Sequence, residues 1–183
     1  SFAAEVELKS FKAVSGDADD YISYVAEQGK SATPPAVYSG VIRVYQNGGL
    51  FTVNAKNGAK ITQIILGSSM ATSVTYSVDG AAESAAQAIK ANAKLTVDEL
   101  SANSIRFTCK GTSKSARLSI HYLLSIEIVP EAYRILETVL TMNKHFASCY
   151  SECTPDNRIH RRLHSHLQKQ NQRCEVYGNF FGP

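Results

Sequence analysis

The sequence predicts a mainly β fold class, namely an antiparallel, jelly-roll-like β-sandwich over residues 1–129 followed by a C-terminal helical hairpin over residues 130–183. Two observations predict it. In the first region, short segments alternate apolar and polar residues with the period of a half-buried strand, and Gly, Asn, Asp and Ser separate them. In the second, apolar residues recur at the three- and four-residue spacing of a helix. Many short strands with regular turn signals favour a sandwich.

The alternation predicts about eight strands. They are Val41–Tyr45, Leu50–Val53, Ile61–Leu66, Val74–Val78, Leu95–Val97, Ile105–Cys109 and a long run, Arg117–Ile128, that divides into two parts. From Leu118 to Ile128 the alternation keeps one parity and Leu123 alone is out of phase, so a β-bulge is expected at Leu123-Leu124. The Ala-rich stretch 81–93 is interpreted as a loop with one short, weak strand.

Three turn signals separate these strands. Asn47-Gly48-Gly49 predicts a β-hairpin, because hairpin turns need positive φ at their central residues. Asn57-Gly58 predicts a second hairpin or tight turn, and Asp79-Gly80 ends the predicted strand Val74–Val78. The turns therefore predict sequential strands that pair with one another.

The sequence predicts two helices in residues 130–183. An amphipathic helix is predicted over Glu131–Phe146, with an apolar stripe of Ala132, Ile135, Leu136, Val139, Leu140 and Phe146. A second helix is predicted from Thr154-Pro155-Asp156, which supplies an N-cap, a proline at the first helical position and an early acid. The segment Cys149–Cys153 is expected at the corner between them. The stripe needs an apolar surface, so self-association through this helical tail is one expectation.

Composition argues against two classes of partner. The chain has 19 Lys and Arg against 16 Asp and Glu, a formal net charge of +3 at pH 7, whereas nucleic-acid binding through bulk electrostatics needs a dense basic face. Basic residues do crowd between Arg158 and Arg173, where they form either a contact for phosphates or acidic polysaccharide or a solvated face. No run of apolar residues in the sequence approaches the roughly 20 that a membrane-spanning helix needs. Nucleic acid and membrane are therefore not expected partners.

Four tail residues have the types and spacing of a zinc site, Cys149, Cys153, His160 and His164. Two thiolates and two imidazoles can form a closed tetrahedral site, and histidines four apart share one face of a helix. The alternatives are disulfides among Cys109, Cys149, Cys153 and Cys174, or reduced thiols, with Cys109 a buried strand residue. Apart from this structural zinc, no cofactor is expected.

Candidate ligand-binding residues lie in or beside loops and strands. They are Tyr45, Asn47, Tyr38 and Tyr76, because planar aromatic rings stack on sugars and Tyr45 lies next to the Asn47-Gly48 turn. The alternative for each tyrosine is core or cross-strand packing. No nucleophile elbow, phosphate loop or catalytic metal motif is found, so no enzymatic activity and no catalytic residues are predicted.

A series of blocks in the first region also resembles a known family. In order they are Ile22–Tyr24, Gly29–Tyr38, Ile42–Tyr45, Phe51–Val53, Ala59–Ile65, Val74–Gly80, Ser104–Phe107, Lys114–Ile120 and Ile126–Ile128. These blocks resemble the small β-sandwich domains of secreted and surface lipoproteins of the Bacteroidetes, often appended to extracellular nucleases and other hydrolases. The resemblance implies an extracytoplasmic accessory module for carbohydrate or surface attachment, without catalytic residues. It leaves residues 130–183 unexplained.

Taken together, the sequence predicts a secreted or cell-surface, non-catalytic binding or adhesion module directed at a cell-surface glycan or protein. One alternative is a structural or assembly subunit whose helical tail docks on a partner. Another is an accessory domain of an extracellular nuclease or other hydrolase. The residue composition of the tail differs from that of residues 1–129, which is also compatible with a reading-frame change or a recombined gene end. In that case the tail has little evolved function.

Overall fold

The computed structural model describes residues 1–152, except for the side chains of Arg134, Glu137 and residues 148–152. Within this range there are twelve strands, a 3₁₀ turn at Lys114–Ala116 and a helix, α1, at Glu131–Glu152. The strands are β1 (Phe2–Leu8), β2 (Ser15–Asp17), β3 (Ile22–Glu27), β4 (Ala36–Tyr38), β5 (Val41–Val44), β6 (Leu50–Ala55), β7 (Lys60–Ser68), β8 (Thr72–Val78), β9 (Gln87–Ile89), β10 (Ala93–Val97), β11 (Ser104–Cys109) and β12 (Leu118–Val129). The chain divides into two units, Ser1–Leu136 and Glu137–Pro183.

The strands form two antiparallel sheets, which confirms the predicted β-sandwich. One sheet, called here the β12 sheet, has the order β10-β7-β12-β5-β4, and β1 also pairs with β12. The other, the β11 sheet, has the order β2-β3-β6-β11-β8-β9. The twelve-residue β12 is long enough to pair with β5 through Leu118–Ile120 and with β1 through Leu123–Val129. Buried side chains from both sheets form one hydrophobic core.

A turn forms at Asn47-Gly48, but the β-hairpin predicted there is wrong. The residues have the positive φ that the sequence predicts, 60° at Asn47 and 110° at Gly48. The strands on either side do not pair, however, because β5 belongs to the β12 sheet and β6 to the β11 sheet. Asn57-Gly58 likewise links β6 to β7 across the sandwich. Turn chemistry reports the local backbone, whereas contacts distant in sequence decide which strands pair.

The predicted position of the β-bulge in β12 is wrong. The register against β7 shifts between Ile120 and Tyr122 and again between Ile126 and Glu127, and not at Leu123-Leu124. The first shift leaves His121 as an extra residue of β12. An extra residue at this point reverses the faces of all later side chains. Leu123, Ser125, Glu127 and Val129 are therefore buried, while Leu124, Ile126 and Ile128 are half-buried or exposed. A carboxyl group enters the core as a result.

Helix α1 begins at Glu131, where the sequence predicts a helix to begin, because Pro130 cannot continue strand pairing and period-two alternation stops there. It extends to Glu152, the last described residue, so Cys149 lies inside this helix and not at the predicted corner. The predicted second helix, from Thr154, lies outside the described residues. Over residues 1–152, no helix is long and apolar enough to cross a membrane.

Candidate functional site

A groove of about 440 Å³ opens on the outer face of the β11 sheet. We call it the Asn47 groove, and it is lined by Gly29, Lys30, Asn47, Gly48, Leu50, Glu83, Arg106, Thr108, Cys109 and Lys110. Its volume falls in the range of about 300–1,000 Å³ that small-molecule sites usually have. Six of its ten lining residues have polar side chains, and four of these are charged.

Strand alternation places three of these side chains in the groove. Arg106 and Thr108 alternate with the buried Ile105 and Phe107 of β11, so they point away from the core. Leu50 lies directly opposite Thr108 on the neighbouring strand β6. Two adjacent strands thus form the floor, and their register places Leu50 beside Thr108.

Backbone hydrogen bonds tie the surrounding loops to the Asn47-Gly48 turn. Lys30 N donates to Gly48 O at 3.1 Å, and Gly48 N donates to Cys109 O at 2.9 Å. Asn47 N donates to Gly111 O at 2.9 Å. Gly48 has φ 110° and a Cβ built there would lie 2.9 Å from the Lys30 Cβ, so glycine allows this close approach. Three separate segments of chain are therefore held together at one wall of the groove.

Glu83 extends from the β8–β9 loop over the sheet. Thr75 Oγ1 and Lys110 Nζ each donate to its Oε2 at 2.9 Å, and Thr108 Oγ1 donates to Oε1 at 3.1 Å. The hydrogen bonds from Lys110 and then Thr75 lower the pKa of Glu83, with a smaller contribution from Thr108. The carboxylate is therefore ionised at neutral pH, and it attaches the loop to β8 and β11.

The predicted ligand residues are distributed over different parts of the fold. Asn47 is exposed and lines the groove, and Tyr45 lies in the same turn, where its carbonyl accepts a hydrogen bond from Gly49 N at 3.1 Å. Tyr38 is on β4 of the β12 sheet, with the Arg43 guanidinium 4.0 Å from its ring centre. Tyr76 packs at the core, 6.3 Å from the Phe107 ring. The structure does not bring these tyrosines together.

The residues that sequence reasoning missed are Lys30, Glu83, Arg106, Thr108 and Lys110. One local signal existed, because Glu83 is the one charged residue between Asp79 and Lys90. Arg106 also stands at an outward position of a predicted strand. Nothing local indicates that these two residues and Lys30 share a site, since their segments meet only through sheet pairing and loop packing.

The cysteine and zinc predictions remain largely outside the described residues. Cys109 is free and fully buried, as predicted for an apolar strand residue, and its Sγ lies 3.7 Å from Thr72 Oγ1. Cys149 lies in α1, where its side chain is not described, and Cys153, His160 and His164 lie beyond residue 152. Among the described residues no cluster of three or more His, Cys, Asp or Glu could hold a metal ion.

Comparison with known proteins gives similarity only to solved structures. No protein-family model matches the chain, and no curated protein matches it. A family 32 carbohydrate-binding module from C. perfringens NanJ, in complex with galactose, is 14% identical over 67% of this chain and 99% of its own, with a TM-score of 0.42. The corresponding module of AlyQ, in complex with 4,5-unsaturated mannuronic acid, is 17% identical over 63% of this chain and 96% of its own, with a TM-score of 0.40. At these values the similarity assigns no ligand to this chain.

Proposed function

We propose that this chain is a non-catalytic glycan-binding module and that its ligand binds in the Asn47 groove. The observation that carries the proposal is the concentration of polar side chains in that groove, on strands and turns held by backbone hydrogen bonds. Sugar hydroxyls need donors and acceptors at rigid positions, because ordering them on binding costs free energy. The proposal includes a secreted or cell-surface location and a cell-surface glycan partner, which the family resemblance of residues 22–128 supports.

Two groups in the groove suit a polyhydroxyl ligand. The exposed Asn47 amide has both donors and an acceptor, and it belongs to the turn that forms one wall of the groove. Thr108, only 6% exposed on the groove floor, donates a hydrogen bond to Glu83 Oε1, and its oxygen retains acceptor capacity for a group that reaches the floor.

The test is a glycan array followed by calorimetric titration with the Asn47→Gly variant. Glycine keeps the αL backbone without strain and removes only the amide, so we expect glycan affinity to fall about three- to tenfold with little change in melting temperature. The matched control is Asn92→Gly, an exposed residue with φ 59° that does not line the groove. Silence across the array, or equal losses in both variants, would contradict the proposal.

A second candidate function is assembly through α1. Six apolar side chains of this helix are exposed by between 48% and 70%, namely Ile135, Leu136, Val139, Leu140, Met142 and Phe146. Five of them belong to the stripe predicted from sequence. Single exposed apolar residues are ordinary, but a contiguous helical stripe marks interaction surfaces.

Assembly is tested by sedimentation velocity over a concentration series. If the stripe joins copies of the chain, Leu140→Glu should weaken self-association at least about tenfold, because a charge is then buried unpaired. Thr141→Glu, at the neighbouring exposed position, should leave it unchanged. A wild-type chain that stays monomeric at every concentration would remove this candidate.

A further inference from the structure

The charge of the Asn47 groove indicates what kind of glycan it takes. Three cations, Lys30, Arg106 and Lys110, and one carboxylate, Glu83, line it, which gives the lining a formal charge of +2. Glu83 and Lys110 neutralise each other at 2.9 Å. Glu27 lies opposite Leu50, which in turn lies opposite Thr108, but Glu27 does not line the groove. The excess positive charge therefore belongs to Lys30 and Arg106.

Neither of these two cations is used by the fold. Among the described residues, Lys30 and Arg106 take part in no side-chain hydrogen bond and no ion pair, and both are exposed. Three other surface cations of the domain are engaged: Arg43 stacks on Tyr38, Lys94 stacks on Tyr122, and Lys56 pairs with Asp17 at 2.8 Å. Lys12, Lys90 and Lys114 are likewise exposed without an ion pair among the described residues, but of these free cations only Lys30 and Arg106 line the Asn47 groove.

The position of Arg106 favours a planar anion. Its side chain rises from the central strand β11, so its base is held by pairing on both sides, with Thr52 and with Ser77. A guanidinium presents parallel N–H donors that match both oxygens of a carboxylate. Lys30 supplies a compact second charge on the opposite loop, whose backbone is held by Gly48.

We propose that the groove selects acidic glycans, with Arg106 binding the carboxylate of a uronic-acid residue and Lys30 adding a second cation. This inference rests on the proposed glycan-binding function and names its substrate class. Asn47 and Thr108 then contact ring hydroxyls. Glu83 disfavours a second anion beside it, so the carboxylate is directed toward Arg106 and Lys30 and away from the Lys110 end.

The test compares polygalacturonate with the same polymer after chemical reduction of its carboxyl groups. Calorimetric titration should show at least about tenfold tighter binding of polygalacturonate, the size expected for one charge-assisted hydrogen-bonded pair. Arg106→Gln should remove most of this preference, measured as the ratio of the affinities for the two polymers. Lys94→Gln removes the same unit of charge from the β12 sheet and should have no effect, which controls for net charge.

Other outcomes separate this inference from the function on which it rests. Equal or tighter binding of the reduced polymer overturns acid selection and leaves glycan binding standing. No binding of either polymer, together with a silent array of neutral glycans, overturns both. Equally tight binding of dextran sulfate or a single-stranded oligonucleotide, with equal losses in Arg106→Gln and Lys94→Gln, overturns the inference because charge alone then explains attraction.

Discussion

Replacing Phe107 with alanine is expected to lower the free energy of unfolding by about 3–5 kcal/mol, the range for removing a buried aromatic ring. Phe107 is fully buried on the central strand β11, directly opposite the fully buried Phe51 of β6. Its ring lies 6.3 Å from that of Tyr76. The loss combines apolar surface returned to water on unfolding with a cavity that two paired strands cannot close.

Urea denaturation followed by circular dichroism measures this loss, since the chain contains no tryptophan for fluorescence. Phe107→Leu is the graded control, and it should cost less because it retains most of the apolar volume. Tyr38→Ala is the surface control: its side chain is 49% exposed, so its loss should be about 1 kcal/mol or less. A Phe107→Ala loss no larger than that of Tyr38→Ala would contradict this description of the core.

The second large effect is a dependence of stability on pH through Glu127, which the bulge in β12 turns into the core. Its side chain is fully buried, and Ser125 Oγ donates to Oε2 at 3.1 Å. Oε1 has no hydrogen-bond partner among the described residues. Burial raises the pKa of Glu127 from 4.5 to about 7, the Ser125 hydrogen bond opposes the rise, and Asp19 and Glu5 add to it. The folded protein therefore holds a proton that the unfolded chain releases.

A raised carboxyl pKa makes folding more favourable at low pH. Stability from this group is fully present below the unfolded pKa of 4.5 and is lost as pH rises through about 7. The free energy of unfolding should therefore fall by about 3 kcal/mol across that window from this group alone. Glu127→Gln, which stays neutral, should flatten the fall and be more stable than wild type above neutral pH.

Urea titrations of both proteins at several pH values measure the difference directly, because other titrating groups contribute equally to each. Glu83→Gln is a useful comparison. Because the pKa of Glu83 is lowered, replacing this carboxylate should lower the free energy of unfolding at neutral pH, whereas Glu127→Gln should raise it. Parallel pH profiles for wild type and Glu127→Gln would show that the carboxyl is solvated in the folded state.

Local pattern predicted much of the sandwich. Strands such as Ile105–Cys109 and the start of α1 at Glu131 were predicted correctly, because alternation and helical period are properties of a few adjacent residues. The positive φ at Asn47 and Gly48 followed from residue type alone. Strand β1, from Phe2 to Leu8, was missed although its half-buried apolar residues alternate with exposed Ala3, Glu5 and Glu7.

The candidate site was only partly predicted. Asn47 was identified from the loop that bears it, while Tyr38 and Tyr76 were selected for ring chemistry and lie in different sheets. Lys30, Glu83 and Arg106 are more than 20 residues apart in sequence, so no local period links them. Their meeting depends on the pairing of β6 with β11 and of β11 with β8.

By itself, the sequence determined the fold class, the positions of most strands, the conformation of the turns and the start of the helix, since each depends on interactions between near neighbours. Only the tertiary structure decided that the Asn47 turn crosses between sheets, that Glu127 lies in the core and that two free cations share a groove with Asn47. These features depend on strand pairing and register, and a shift of one residue at His121 reverses every face after it.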